Sequence, residues 1–231
     1  LAHGPFERDL FSRWFAPEGS MKRSMRAFVA TMGFLIADAA LGADPDLGRA
    51  EQLVRELNAL RPGSCAAVQA DLCRPDEVRA LAVKAAALAS GLDLLVNNAS
   101  AFYATPLGSV SDAQWNELFD ANLKGAFFLS QALAPALMRK QGAIVNIIDV
   151  HAQIPLPQHP VYTMAKAGLA MMTRALAVEL ARHRIRVNSI LPGWIATEMT
   201  ERSFGNEKFA ANVMPRIPAR RWGNLDDFGG I

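Results

Sequence analysis

Cysteine is nearly missing from this chain: Cys65 and Cys73 are the only two in 231 residues. Two cysteines make no disulfide framework, and neither stands in a CxxC pair or beside histidine, which argues against a zinc site. An excess of one charge is missing as well. Lys plus Arg number 24 against 22 Asp plus Glu, a net charge of +2. That balance gives no electrostatic case for nucleic acid or an anionic membrane surface. No stretch reaches the roughly 18 uninterrupted apolar residues of a membrane span. The longest near the N-terminus, Phe34 to Ala43, is interrupted by Asp38. Leu1-Ala2-His3-Gly4-Pro5-Phe6-Glu7-Arg8-Asp9 lacks a basic-then-apolar leader pattern, so a reduced, cytoplasmic setting is the default expectation.

What the chain does have is apolar substance. Hydrophobic residues make up 51% and charged residues 20%, enough for one domain with a sizeable core and too apolar for disorder. No repeat, low-complexity tract or linker divides it. Residues 1–26 follow no clear period and read as an irregular lead-in to a single domain over 1–231.

From about Gln52 onward, helical periodicity alternates with short apolar runs. Leu53, Leu57 and Leu60 recur at helical spacing, and Arg61-Pro62-Gly63-Ser64 ends that helix. Cys65 to Ala70 reads as a strand. Asp76 to Ala89 reads as an amphipathic helix with Val78, Leu81, Ala82 and Ala85 inward. Leu92 to Val96 is a buried strand, Asp112 to Met138 one long helical stretch, and Gly142 to Ile148 the most strand-like run. A helix over Tyr162 to Arg182 and a strand over Ile185 to Leu191 follow. Near-continuous apolar strands separated by helices predict a doubly wound, Rossmann-like parallel α/β sheet covered on both faces. The beginning breaks the rhythm: Ala27 to Thr31 reads as a strand, Phe34 to Leu41 as a helix, and Ala43 to Gly48 as a loop. A strand is then lacking between that helix and the one near Glu51.

Tyr162-Thr163-Met164-Ala165-Lys166 sets a phenol and an ammonium one helical turn apart on one face. A neighbouring cation favours phenolate and draws a tyrosine pKa down from about 10, which suits proton exchange with a carbonyl or alcohol oxygen. Alone, that spacing describes many ordinary helices. Asp149, however, lies thirteen residues earlier at the end of a strand, where open α/β sheets bind ligands. Asn98 closes the preceding strand and Asn122 lies within the long helix.

This constellation resembles the short-chain dehydrogenase/reductase family. Asn97-Asn98-Ala99 looks like its NNAG strand end, with Ser100 in place of glycine. Asn122-Leu123-Lys124-Gly125 resembles its helical asparagine segment, and Asp149, Tyr162 and Lys166 fall where the family keeps Ser, Tyr and Lys. Arg186-Val187-Asn188-Ser189-Ile190-Leu191-Pro192-Gly193 is similar to its RVNxxxPG segment. The likeness runs from about Glu51 to Phe228. It implies that Tyr162 donates or accepts the proton, that Lys166 lowers its pKa and bonds the nicotinamide ribose, and that Asn122 holds a relay water. It implies further that Asp71 and Leu72 contact adenine, and that Asn98 and Ala99 line the cofactor channel. Pro192, Gly193, Ile195 and Thr197 would cradle the nicotinamide end. The expected cofactor is NADP(H) rather than NAD(H), on the ground of Arg49. A small-molecule substrate and a homodimer or homotetramer are also implied, the latter through the Asp112–Met138 and Tyr162–Arg182 helices.

Two departures shape the expectation. Asp149 replaces the family's serine, and an ionised carboxylate cannot donate a hydrogen bond to a substrate oxygen and would raise the Tyr162 pKa by repulsion. Pteridine reductases of the family carry Asp there, and Asn97 to Leu107 is similar to their NNASxFxxTPL stretch. The leading expectation is therefore a pteridine reductase-like enzyme. Val150 to Pro155, Pro192 to Met199 and Arg221-Trp222-Gly223 instead resemble ketoreductases and sugar dehydrogenases, the alternative. The second departure is the lack of a TGxxxGxG loop. Thr31-Met32-Gly33 is its only remnant, followed by the bulky Phe34 and Leu35, so dinucleotide binding should be poor or absent. That leaves a non-catalytic scaffold relative as a third expectation. By the resemblance, the N-terminal and C-terminal parts are atypical or incomplete.

Overall fold

The computed structural model describes residues 23–30, 34–41, 47–88, 90–197, 200 and 204–228. Backbone contacts group residues 21–191 into one unit and assign Pro192 onward to another.

The larger unit is built on a six-stranded sheet. Its strands are β1 (Arg23–Ala30), β2 (Phe34–Leu41), β3 (Cys65–Gln69), β4 (Leu94–Asn97), β5 (Ala143–Ile147) and β6 (Arg186–Ile190), in the order β3-β1-β2-β4-β5-β6. β2, β4, β5 and β6 are parallel neighbours. β1 alone is reversed, pairing antiparallel with both β2 and β3. The architecture is the expected Rossmann-like one, with one strand turned around.

That reversal answers the irregular rhythm at the beginning. Phe34–Leu41, expected as a helix, is strand β2, in register with β4 from Phe34 opposite Leu94 to Ala37 opposite Asn97. An eight-residue apolar run has no period that separates a buried strand from a buried helix; an available parallel partner decided the matter. β1 then fills the sheet position for which no strand was apparent. Of the segment expected to be irregular, residues 23–26 begin β1 and residues 1–22 lie outside the described residues. Thr31-Met32-Gly33 lies outside them too, as do 43–46 of the expected loop, whose Leu47 and Gly48 already belong to a helix.

Helix α1 (Leu47–Leu60) stops before Gly63, whose φ of +68° suits glycine. Leu57 is buried and Leu60 is exposed. Helix α2 (Pro75–Leu88) opens with Pro75 and then Asp76 and Glu77, which favour a helix N-terminus. It buries the expected stripe of Val78, Leu81, Ala82 and Ala85. A capping box starts α3 (Asp112–Phe119): Ser111 Oγ accepts from Gln114 N, and Gln114 Oε1 accepts from Ser111 N.

The long helix expected over Asp112–Met138 is interrupted. Asp120–Lys124 forms a π turn before α4 (Gly125–Lys140) resumes. Asn122 is the cause: its Nδ2 donates to Leu118 O at 2.9 Å, so a side chain enters the helical ladder. Helix α5 (Pro160–Leu180) carries Tyr162 and Lys166 and packs on β6. Leu81, Leu95, Leu118, Leu133 and Ile144 are enclosed in one core shared by α2, α3, α4, β4 and β5.

The second unit is short and aromatic. Ile195 bridges Gly223, Trp194 meets Phe209 edge-on at 5.0 Å, and Phe204 stacks on Trp222 at 4.1 Å. Helix α6 (Glu207–Val213) is capped by Asn206, and Arg221 pairs bidentately with Asp227.

Candidate active site

The parallel register aligns Asn97 of β4 with Asn146 of β5 and Ser189 of β6 near the carboxyl ends of the strands. Ligands bind beyond these ends in open α/β sheets. A buried amide ladder ties the row to the helices. Asn97 Nδ2 donates to Asn146 Oδ1 at 2.8 Å and to Ser130 Oγ of α4 at 3.1 Å, while Asn146 Nδ2 donates to Thr173 Oγ1 of α5 at 2.9 Å. The helix bearing Tyr162 is thereby fastened to the strand that ends next to Asp149.

Asp149 follows β5 in extended conformation and caps the turn Val150–Ala152, its Oδ1 accepting from His151 N at 2.8 Å. Its Oδ2 accepts from the Tyr162 hydroxyl at 2.7 Å. Both carboxylate oxygens are therefore in use as acceptors. Lys166, one turn along α5, is 1% exposed. Its Nζ donates to Ile147 O at 3.1 Å and lies 5.8 Å from the Tyr162 ring centroid. Phe102 meets the same ring edge-on at 4.8 Å and stacks on His159 on its other side.

The electrostatics follow from this enclosure. Burial drives the Tyr162 pKa up, and the neighbouring Asp149 charge and its hydrogen bond push the same way. The Ser100 hydroxyl acts weakly in the opposite sense. Lys166 was expected to draw the tyrosine down and Asp149 to push it up; the direction is upward, with burial the largest cause and Asp149 next. Burial lowers Lys166 itself to about 8, with Asp149 opposing. Such a tyrosine keeps its proton at neutral pH.

Asn122, fully buried, accepts from Ser100 Oγ at 2.7 Å and donates to Ala101 O at 2.8 Å and to Leu118 O. Its side chain is thus engaged with protein at both ends, which gives it the task of fixing the loop after β4 against the π turn.

Asp149, Tyr162 and Lys166 therefore come together, while Asn122 bonds to Ser100 on the loop after β4. Asp71, after β3, accepts from Cys73 N at 2.8 Å, and its own N–H donates to Glu77 at 2.7 Å. Leu72 is buried so close to Gly125 that a Cβ there would sit 2.9 Å from it. Asn98 and Ala99 follow β4, half-buried. Pro192, Gly193, Ile195 and Thr197 belong to the second unit, where Ala196 N donates to Gly223 O and Thr200 Oγ1 ties Ile195 to Thr197. Sequence reasoning assigned no role to Ser100, Phe102 or the Asn97–Asn146 ladder. The signal for Ser100 was its place in a motif position that resembles glycine.

The profile of the family described as enoyl-(acyl carrier protein) reductase matches residues 29–231. The chain belongs to the short-chain dehydrogenases/reductases. It is 36% identical over 163 residues to 2-dehydro-3-deoxy-D-gluconate 5-dehydrogenase of Escherichia coli, covering 70% of this chain and 64% of the relative. It is 32% identical over 206 residues to 3-oxoacyl-[acyl-carrier-protein] reductase of Staphylococcus aureus, covering 89% of this chain and 81% of the relative. The crystal structure of a gluconate 5-dehydrogenase from Burkholderia cenocepacia, in complex with NADP and tartrate, matches with a TM-score of 0.71 at 29% identity over 80% of this chain and 72% of that one. The chain spans 55 to 64% of the length of several sugar and gluconate dehydrogenases it matches. Among the described residues no helix is long and apolar enough to cross a membrane.

Proposed function

We propose that this short-chain dehydrogenase/reductase interconverts a carbonyl and a secondary alcohol on a small polar substrate of the sugar-acid or ketoacid class, using NADP(H). The observation that carries the reading is the buried Tyr162–Lys166 pair at the end of β5, with the tyrosine proton held on oxygen. The relatives named for gluconate, deoxygluconate and oxoacyl chemistry support the carbonyl–alcohol alternative over the pteridine reductase expectation. Asp149 and the Asn97–Leu107 stretch remain on the side of a ring-nitrogen substrate.

The cofactor fits the described residues at its nicotinamide ribose. Lys166 has three N–H donors and, among the described residues, one hydrogen-bond acceptor in Ile147 O. A buried ammonium with spare donors suits vicinal hydroxyls. In this reading Lys166 and Tyr162 hold that ribose, Asp71 and Leu72 meet adenine, and Asn98 and Ala99 line the channel between. Pro192, Gly193, Ile195 and Thr197 hold the nicotinamide end. When bound, NADP(H) supplies or removes hydride at the substrate carbon. Tyr162 delivers its proton to the substrate oxygen in reduction and recovers it in oxidation. Asp149 orients the Tyr162 hydroxyl, and Asn122 holds the loop that carries Asn98 to Ala101. The NADP bound in the Burkholderia structure supports the phosphorylated cofactor.

Assembly as a homodimer or homotetramer through α4 and α5 belongs to the same proposal, supported by the exposure of Phe127, Phe128, Met171 and Val178 on those helices. The test of function compares kcat/KM for 5-keto-gluconate and for a dihydropterin, with NADPH and NADH, in parent and Asp149→Ser. The proposal expects ketone reduction with NADPH that rises in Asp149→Ser, because serine restores a neutral donor. Turnover of the pterin alone, lost in Asp149→Ser, would hand the site to the pteridine reading.

A further inference from the structure

The entry to α5 departs from local preference at two neighbouring residues. Gln158 has a φ of +64°, in the left-handed region that favours glycine or asparagine. His159 occupies the N-cap, where Ser, Thr, Asp or Asn would bond a first-turn N–H, yet its side chain makes no capping hydrogen bond. Pro160 and the rest of the 21-residue helix follow, with Tyr162 in the first turn. A left-handed glutamine and a helix without a side-chain cap both cost stability, and such departures collect at functional sites.

The turned backbone holds the His159 ring in a defined place. Thr105 N, on the loop after β4, donates to Gln158 O at 2.7 Å. The half-buried imidazole stacks on Phe102 of the same loop, with centroids 4.8 Å apart and planes 7° from parallel. Phe102 meets the Tyr162 ring at 4.8 Å as well, so at most twice that distance separates imidazole from phenol. His159 Nδ1 lies 2.8 Å from Pro157 O; a carbonyl only accepts, so Nδ1 carries a ring hydrogen. In the neutral ring Nε2 is then an acceptor, and among the described residues it has no hydrogen-bond partner.

An acceptor on a stacked, anchored ring, close to the proton donor, suits a hydroxyl. We infer that His159 is a specificity-determining residue: its Nε2 accepts a hydrogen bond from a hydroxyl on the substrate chain beyond the carbonyl that Tyr162 protonates. The site so formed prefers polyhydroxylated ketones to ketones bare of hydroxyls. A chain without hydroxyls leaves the desolvated nitrogen unpaired, which is what makes such an acceptor selective. The inference deepens the proposed carbonyl–alcohol reading and rests on it for the place of the carbonyl. No bond is made or broken at His159.

Two six-carbon keto acids isolate the hydroxyls. 5-Keto-gluconate and 5-oxohexanoate share the carboxylate and the C5 carbonyl, and only the first bears hydroxyls. The measurement is the ratio of their kcat/KM values with NADPH, beside the NADPH dissociation constant. His159→Phe keeps a ring on Phe102 and removes Nε2, and should lower the ratio about tenfold. His159→Asn puts an amide nitrogen at the Nδ1 position, within reach of Pro157 O, and should lose as much. His159→Gln brings a carbonyl oxygen to the Nε2 position and should keep the ratio within about threefold of the parent. Cofactor affinity should stay within about threefold throughout. If His159→Phe does not fold, His159→Asn takes its place. A ratio unmoved by loss of Nε2 overturns the inference, as does His159→Gln faring no better than His159→Asn.

Failure of the underlying reading has a different signature: a parent that reduces neither ketone. Binding then decides, by calorimetric titration of gluconate and of hexanoate into the protein with NADPH present. Gluconate held more tightly than hexanoate, with His159→Phe erasing the difference, sustains the inference. Equal binding, no binding, or a preference that survives His159→Phe overturns it.

Discussion

Lys166 shows what function asks of a single residue here. An ammonium sealed from water is less stable than in solvent, and its pKa falls from 10.5 to about 8. The folded value is the lower one, so between those values the unfolded chain binds more protons. Stability therefore rises as pH climbs from about 8 towards 10.5. Lys166→Met removes the buried charge at similar volume. It should raise stability at pH 7 by roughly 2 kcal/mol and flatten the alkaline rise, since the lowered pKa is offset in part by the donor lost to Ile147 O. Urea unfolding at pH 7 and pH 9.5 checks both signs; the same variant should bind NADPH poorly. At this scale the sequence was legible where chemistry follows spacing, as in Tyr162 and Lys166 on one face. An upward push on Tyr162 from Asp149 was legible beside the downward pull of Lys166; the share of burial, the largest cause, was not, because it arises only on folding.

Among the elements, the π turn at Asp120–Lys124 has the clearest cause. Asn122 supplies hydrogens to two carbonyl oxygens and takes one from Ser100, all within the protein interior. Asn122→Ala should cost about 3 kcal/mol, because two carbonyls and one hydroxyl lose partners at once. Its circular dichroism should remain helical while its denaturation midpoint drops. Periodicity could not reveal this interruption, since α3 and α4 keep their apolar faces on either side of it. Gly142 makes a second element-level constraint. A Cβ there would lie 2.5 Å from Leu92 O and 2.7 Å from Asp93 O, both backbone atoms that cannot yield. Gly142→Ala should destabilise by about 2 kcal/mol by prying β5 from the start of β4, an effect visible in thermal unfolding. By contrast, α2 was readable to the residue: Val78, Leu81, Ala82 and Ala85 face inward because a single amphipathic stripe has only one way to be buried.

For the whole molecule, the doubly wound sheet was legible because apolar strands separated by helices have few other solutions. The reversal of β1 was not, because an antiparallel hairpin and a strand–helix unit draw on the same short apolar runs. The site was legible in part for a related reason. Asp149, Tyr162, Lys166 and Asn122 carry motif spacing, whereas Ser100 and the Asn97–Asn146 ladder act through contacts between distant segments. The account places proton delivery on Tyr162 within an NADP(H)-dependent carbonyl reduction, and Tyr162→Phe isolates that role. The substitution removes one hydroxyl and leaves the ring packed against Phe102. The decisive measurement is kcat for NADPH-dependent ketone reduction beside the NADPH dissociation constant, in parent and Tyr162→Phe. The account predicts a fall in kcat of about a thousandfold with cofactor affinity within about threefold. A variant that keeps kcat within threefold of the parent would contradict it.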